Sequence, residues 1–309
     1  MLIPHIWYES RAIQAAEWYC SLIPNSRIIS KAIIPGPSAD DIEQVSFELW
    51  GQRFEAMGGG GKAMLNPSIS FILHFDSNFF QNTKDPAKAA RKKFDELWNE
   101  FVKEGKVMVE LGEYDFSPHY GWVEDIFGVS WQFLIGGSEP APKAPITPAM
   151  LFVGEQCGRA EEARDVYRTL FPASQEGGLI KYPETEEYER PGNIKFSDFT
   201  LSSTWISVME SGLNHQFAFN ESLSFIVLCK DQKEIDHFWN RLSAVPEAEQ
   251  SGWLKDRFGV SWQIIPERLK ELLTAKDEKK RNAVINALLT MKKCDIDVLQ
   301  NAYTNAADD

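Results

Sequence analysis

Few side chains in this sequence can serve as an imidazole or thiol ligand, base or nucleophile near neutral pH: five histidines and four cysteines in 309 residues. Cys20, Cys157, Cys229 and Cys294 stand far apart and never form C-x-x-C, so neither a zinc knuckle nor a thioredoxin-type motif is present. Reduced thiols are the simplest account. His5, in the apolar run MLIPHIWY, reads first as a hydrogen-bonded structural residue. His74 ends the run SISFILH, and its counterpart in the internal repeat set out below is Cys229. His119 in SPHYGW and His215 in NHQFAFN read as loop residues, and His237 beside Phe238 as the surface of a helix. No Ser-His-Asp or Cys-His set can be assembled, and nothing marks a nucleophile.

Gly-rich motifs fail in the same way. AMGGGGKA, residues 56–63, has Ala56 and Ala63 where a P-loop needs Gly and Ser or Thr, so it reads as a hairpin loop. No G-x-G-x-x-G turn joins a strand to a helix, and the common kind of methyltransferase needs one for its cofactor.

The elements that must position these residues are announced by a duplication. GWVEDIFGVSWQF at 121–133 and GWLKDRFGVSWQI at 252–264 share nine of thirteen positions. RAIQAAEWYCSLIPNS from Arg11 aligns with RAEEARDVYRTLFPAS from Arg159, and LNPSISFIL from Leu65 with FNESLSFIV from Phe219. A repeat of over 130 residues is a duplicated domain rather than a short-period solenoid. The Pro- and Gly-rich GGSEPAPKAPITP, residues 136–148, reads as the linker.

Each half predicts strand–helix–strands twice over. In the first half a strand near Pro4–Tyr8 precedes a helix from Arg11 to Leu22. A hairpin follows over residues 45–57 around Gly51-Gln52, then a strand at 68–75. Asp85-Pro86 caps a helix whose Phe94, Leu97, Trp98 and Phe101 share one face, repeated by Ile235, Phe238, Trp239 and Leu242. Trp98/Trp239, Trp122/Trp253 and Trp131/Trp262 recur in both copies, as core or scaffold residues should, although aromatic walls also suit flat ligands. Asp125 and Asp256, in D-x-F-G-V, read as turn residues whose carboxylates cap backbone amides. Helices over 277–294 and from Asp295 form a tail found only after the second copy.

Composition excludes several classes. A formal charge of −13 leaves no broad basic surface for nucleic acid. No apolar run approaches the ~18 residues of a membrane span, and MLIPHIWYES does not read as a signal peptide. A cytoplasmic protein with no membrane or nucleic-acid partner is the expectation.

SGWLKDRFGVSWQIIP at 251–266, WYESRAIQAAEWYCSLIPNSRI at 7–28 and the tail KKRNAVINALLTMKKCDIDVLQNA closely resemble PhnB-like proteins. These belong to the glyoxalase, bleomycin-resistance and dioxygenase group, the vicinal-oxygen-chelate superfamily. Some members carry the description 3-demethylubiquinone-9 3-methyltransferase. The resemblance covers nearly the whole chain in two copies. It implies an α+β fold of tandem domains, each of two βαβββ-like modules forming a curved mixed sheet with a cleft. The expected division is 1–135, a linker at 136–148, a second domain at 149–266 and a helical tail at 267–309.

In metal-dependent relatives, His and Glu side chains from inner strands hold a divalent ion that polarises substrate oxygens. His5 matches the first-strand ligand position, but its counterpart is Ala149 and the last-strand positions fall near Gln132 and Gln263. The metal set is therefore incomplete, and whether the chain is an enzyme stays open. The leading expectation is a small-molecule-binding protein with pockets bounded by the first strand, the central hairpin and the SWQ strand. The residues nominated are His5, Trp7, Phe54, Met57 and Gln132, with Asn220 and Gln263 in the second copy. One alternative is a metal-dependent lyase, isomerase or dioxygenase acting on adjacent oxygens, with His5 as one ligand of a divalent metal. Another makes the second half a structural partner of the first, paired within the chain. Further homodimerisation stays open.

Overall fold

The D-x-F-G-V-S-W segment folds around one carboxylate. In the computed structural model, Asp125 Oδ1 accepts from the backbone N–H of Phe127 (2.8 Å) and Val129 (3.0 Å). Its Oδ2 accepts from Trp131 Nε1 (2.8 Å) and the Tyr19 hydroxyl (2.6 Å). Asp256 repeats the pattern with Phe258 N, Val260 N and Trp262 Nε1. Gly128 and Gly259 take φ of 89° and 90° inside these turns, a region costly for residues with a Cβ. Each turn thereby launches a SWQ strand and buries its tryptophan completely.

The structure describes residues 2–35, 41–60, 64–136, 144–185, 187 and 189–306. Most of the expected linker and the end of the Gly-rich run, residues 137–143 and 61–63, lie outside them. The strands of the first copy are β1 (Leu2–Tyr8), β2 (Arg27–Pro35), β3 (Asp41–Leu49), β4 (Gln52–Gly58), β5 (Ile69–His74), β6 (Lys106–Tyr114), β7 (Ser117–Glu124) and β8 (Ser130–Ile135). Its helices are α1 (Ala12–Leu22) and α2 (Pro86–Val102). The second copy supplies β9 (Ile146–Phe152), α3 (Ala160–Leu170), β10 (Glu176–Lys181), β11 (Ile194–Leu201), β12 (Thr204–Glu210) and β13 (Leu223–Cys229). Then follow α4 (Gln232–Leu242), β14 (Trp253–Lys255) and β15 (Ser261–Pro266). The chain ends in α5 (Leu269–Leu273), α6 (Glu278–Thr290) and α7 (Ile296–Asn305).

These elements fall into two compact units, residues 4–223 and residues 1–3 with 224–309. The larger unit holds the run β1-β4-β3-β2, in which β1 and β4 are parallel and the other pairs antiparallel. It also holds an eight-stranded sheet in the order β10-β11-β12-β9-β5-β8-β7-β6. In the smaller unit β13 pairs β15 in parallel and β14 pairs β15 antiparallel, with the tail helices following.

Two features of the expected architecture are corrected. The sheets are not curled around clefts, and the large sheet does not belong to one copy. β5 of the first copy pairs antiparallel with β9 of the second, Ser70 opposite Ala149. Both strands are buried along their whole length, so each needs a neighbour on either side, and pairing them removes two exposed edges. Curvature requires bulges, and the pairings β12-β9, β9-β5 and β5-β8 contain none. Register shifts in this sheet are confined to its outer pairs, β10-β11 and β6-β7.

Helices close one face of each sheet. On α2 Phe94, Leu97, Trp98 and Phe101 are buried, and Phe94, Trp98 and Phe101 pack edge-on to Phe133 of β8. Asp85 caps this helix by accepting from Lys88 N, as Asp277 and Asp295 cap α6 and α7. On α1 the residues Ala12, Ala15, Ala16 and Tyr19 are buried, and Tyr19 stacks on Phe47. The β3–β4 turn falls one residue earlier than expected, at Trp50-Gly51, both with positive φ as a two-residue hairpin demands. Glu210, at the end of β12, accepts from Gly158, Ala160 and Ile194 N–H and so satisfies the start of α3.

Burial pushes the Asp125 carboxyl up to about 6, against the opposing pull of its hydrogen-bond donors. The folded protein therefore binds this proton at higher pH than the unfolded chain, near 3.9, and that contribution to stability is lost as pH rises through about 6. Asp125→Asn turns an amide against several donors. Urea unfolding should show a loss of about 2 kcal/mol at pH 7, a gap that widens as pH is lowered from 6 towards 4.

Candidate functional site

Strand alternation gives the run β1-β4-β3 two unlike faces. Ile6, Phe54 and Phe47 point to the side closed by α1, where Phe54 stacks on Phe47 and meets Phe71 edge-on. Phe54 is fully buried in this aromatic core. His5 and Trp7 of β1 lie opposite Glu55 and Met57 of β4, and Ser46 of β3 lies opposite Glu55, all on the other face. Four of the nominated residues thus share β1 and β4: three on the polar face and Phe54 behind it.

That polar face carries a network the sequence reading missed. Glu55 Oε1 accepts from the Ser46 hydroxyl and from Arg53 Nη2 (2.7 Å). The Arg53 guanidinium keeps a buried Nε–H without a hydrogen-bond partner among the described residues. Trp7 donates its indole N–H to the Gly59 carbonyl (2.8 Å), which holds the ring along the sheet. Burial lowers the His5 pKa to about 4, although the neighbouring Glu55 charge pulls it upward. His5 is therefore a neutral imidazole at pH 7, able to donate from one nitrogen and accept at the other. A signal for the network was present: once the turn is placed at Trp50-Gly51, counting outward sets Ser46 against Glu55.

Gln132 does not join His5. It lies in the eight-stranded sheet, where Nε2 donates to the Ser70 hydroxyl (2.9 Å) and Oε1 accepts from Tyr120 (2.8 Å). Ser70 faces Ala149, so the glutamine comes beside the position that lacks a histidine. Asn220 turns its amide to the Met64 carbonyl and accepts from Ser222 N, shaping a loop. Gln263, in the smaller unit, donates to Ser224 Oγ (3.1 Å), the same bond that Gln132 makes with Ser70.

The remaining histidines are dispersed. His74 is buried at the end of β5, and burial alone lowers its pKa to about 4. His119 lies 3.3 Å from Asp95 and against the Phe94 ring, and His215 lies 2.9 Å from Ser211 Oγ. Among the described residues no three His, Cys, Asp or Glu side chains come together as a metal site. His5 with Glu55 is two such groups, and Glu55 is already engaged by Ser46 and Arg53. The donor set does not fit the divalent centre that the resemblance implies.

The family described as 3-demethylubiquinone-9 3-methyltransferase matches residues 1–134 and again residues 144–265. The chain belongs to this family. It carries two PhnB-like domains of the vicinal-oxygen-chelate superfamily in tandem. A PhnB protein from Bacillus cereus is 24% identical over 43% of this chain and 98% of its own, with a TM-score of 0.37. Glyoxalase I from Zea mays matches 90% of this chain and 98% of its own at 11% identity and a TM-score of 0.51. Its V278E mutant matches 88% and 95% at 11% and 0.52. At such identities the likeness to the maize enzyme shows the fold alone. None of the curated proteins matches. Among the described residues, no helix is long and apolar enough to cross a membrane.

The His5 pKa makes a testable statement. A folded value near 4 against about 6.5 unfolded gives stability that is complete above pH 6.5 and lost as pH falls through 4. His5→Gln should flatten that acid-side loss by up to about 3 kcal/mol in urea titrations. The His5 ring resonances should stay those of a neutral imidazole at pH 5.5.

Proposed function

We propose that this protein binds a small polar molecule on the face formed by β1, β4 and β3, with His5, Trp7 and Met57 in contact and Arg53 and Glu55 beneath. The observation that carries this reading is the linked Glu55–Ser46–Arg53 group beside His5, with His5 and Ser46 buried and Arg53 and Glu55 half-buried, on a sheet face whose reverse packs Ile6, Val45, Phe47 and Phe54 into the core. Buried ionised and polar groups cost stability unless they are matched, and structural need alone is met more cheaply by apolar side chains. A neutral imidazole on this face, beside a guanidinium Nε–H that lacks a hydrogen-bond partner among the described residues, suits a ligand with hydroxyl or carbonyl oxygens. Trp7 and Met57 add apolar contact at its edge. Phe54 backs the sheet from the core side.

The division into domains at 1–135 and 149–266 around a linker at 136–148, with a tail at 267–309, belongs to the same reading. The two matched stretches support it. Gln132, Asn220 and Gln263 are proposed as second-tier positions, since each spends its amide on a neighbouring protein group. Residence in the cytoplasm is proposed from the cysteine usage. The β5–β9 pairing joins the halves within one chain, and homodimerisation is proposed as a further level of assembly beyond it.

A thermal-shift screen of small polyols, hydroxy acids and amides against wild type, His5→Ala and Arg53→Gln tests the site. Ligands that raise the melting temperature of wild type should lose most of that effect in both variants. Hits that stabilise all three proteins equally would remove the site from consideration. Zn2+, Ni2+ and Mn2+ should bind without stoichiometric, His5-dependent affinity in calorimetry, given two candidate ligands where a stable site needs three or more.

A further inference from the structure

Helix α2 carries its charges in the wrong order for a helix on its own. Lys88, Arg91, Lys92 and Lys93 stand in its N-terminal half, and Asp95, Glu96 and Glu100 in its C-terminal half. A helix N-terminus favours carboxylates and a C-terminus favours cations, and an i,i+4 ion pair is stronger when the carboxylate comes first. On α2 the first turn holds no acid and the last turn no base. In its pairs Arg91–Asp95 (3.0 Å) and Lys92–Glu96 (3.7 Å) the cation comes first. The corresponding helix of the second copy, α4, has the ordinary polarity, with Glu234 in its first turn and Arg241 in its last. The order on α2 works against its own helix and calls for a compensating partner outside it.

The same charges are antisymmetric about Phe94. Counting outward, Lys93 is matched by Asp95, Lys92 by Glu96, Lys88 by Glu100, Asp85 by Lys103 and Lys84 by Glu104. Every match is of opposite sign, and Arg91, whose mate is Leu97, is the one charge of this stretch without a charged mate. Lys88, Lys92, Glu96 and Glu100 form an i,i+4 row on the side of α2 away from the buried Phe94, Leu97, Trp98 and Phe101. Their ion pairs within the chain are solvent-exposed, with side chains 76% exposed at Lys92, 48% at Glu96 and 41% at Glu100. Such pairs hold little energy and are free to exchange partners. Lys84, Lys88 and Glu104 are exposed and make no ion pair among the described residues.

We infer that this row is the surface on which a second copy of the chain docks, the two α2 helices lying antiparallel about a two-fold axis at the level of Phe94. A two-fold axis sets each residue of an interface against its mate on the other copy, and antisymmetric charges are the pattern this operation makes complementary. Lys92 then meets Glu96 of the partner subunit and Lys88 meets Glu100 of the partner subunit, each pair occurring twice. Rows of i,i+4 side chains run alongside each other when helices cross at about 50°, the commonest packing angle. An open groove between Ser21 and Leu22 of α1 and Glu96, Asn99 and Glu100 of α2 gives the incoming lysine stems a place to lie. Seventeen residues make α2 about 25 Å long, which suits a small, polar contact that forms and dissolves. A polyanion such as nucleic acid or an anionic bilayer fits less well, because Glu96, Glu100 and Glu104 would repel it. The inference rests on the homodimerisation proposed above and assigns it a surface. Each copy carries a formal charge of −13, so the contact forms where distant charges are screened and adjacent ones are not, near 0.1 M salt with a Debye length of about 10 Å.

Sedimentation equilibrium of the full chain, up to about 1 mM protein, reads the association directly. A dimer with a Kd on the order of 100 µM is expected at 0.1 M NaCl, weakened about tenfold or more at 1 M, where the Debye length is about 3 Å. Two double variants make the row uniform in sign: Lys88→Glu with Lys92→Glu, and Glu96→Lys with Glu100→Lys. Each alone should self-associate about tenfold more weakly or less, and an equimolar mixture should restore a heterodimer as tight as the wild-type dimer. Both variants correct the helix-dipole order, so their melting temperatures should equal or exceed that of wild type, which separates docking from a folding role. A dimer indifferent to both variants, or a mixture that stays monomeric, would overturn the assigned surface and leave homodimerisation standing. A wild type that is monomeric throughout at 0.1 M NaCl would overturn both. Neither result touches ligand binding at His5, which the thermal-shift screen reads separately.

Discussion

Everything in this fold that repeats is anchored on one interaction, a buried aspartate gathering backbone and indole N–H groups at the start of a SWQ strand. Asp125 and Asp256 each accept from two amides of their own turn and from the tryptophan six residues on. The bonds do two jobs. They satisfy a tight turn that would otherwise bury free N–H groups, and they fix the rotation of a tryptophan that fills the core. In the first copy Tyr19 adds a fourth donor, tying helix α1 to the same carboxylate. Such a group tolerates no change of residue type, since only a carboxylate offers acceptors alone. That accounts for the identity of D-x-F-G-V-S-W-Q between copies that otherwise differ.

From this anchor follows the placement of both polar rows. A SWQ strand held at its tryptophan presents the glutamine to the opposite face, and there the amide seeks a serine on the neighbouring strand: Ser70 for Gln132 and Ser224 for Gln263. The Gln–Ser bond is therefore a repeated structural feature in its own right. It also explains why glutamine can stand where metal-dependent relatives would need a carboxylate. The position is used, but for holding two strands in register rather than for holding an ion.

Duplication then allowed the faces to diverge. One row keeps His5 with Glu55, Ser46 and Arg53; the other has Ala149 and Ser207 at the matching places. A single chain holding both copies is free of the constraint on a symmetric dimer, in which every substitution appears twice. The antiparallel pairing of β5 with β9 keeps the copies joined while that divergence proceeds.

Much of this was readable from residues alone, because it is local. The repeat, the faces of α2 and α4, the caps at Asp85 and Asp295, and the role of Asp125 all depend on neighbours within a few positions. The hairpin register missed by one residue, since Trp50 as well as Gly51 adopts positive φ, a conformation that sequence favours only for glycine and a few polar residues. Strand partnership was not readable. β5 and β9 are buried on both faces, so alternation marks neither a solvent side nor a preferred neighbour, and either could have closed a sheet within its own copy. Only the tertiary structure decided that they pair with each other, that the sheets stay uncurled, and that Gln132 stands with Ala149 rather than with His5. The sequence by itself determined which residues are buried, capped and turned; the long-range pairing of two equally buried strands determined which polar side chains meet.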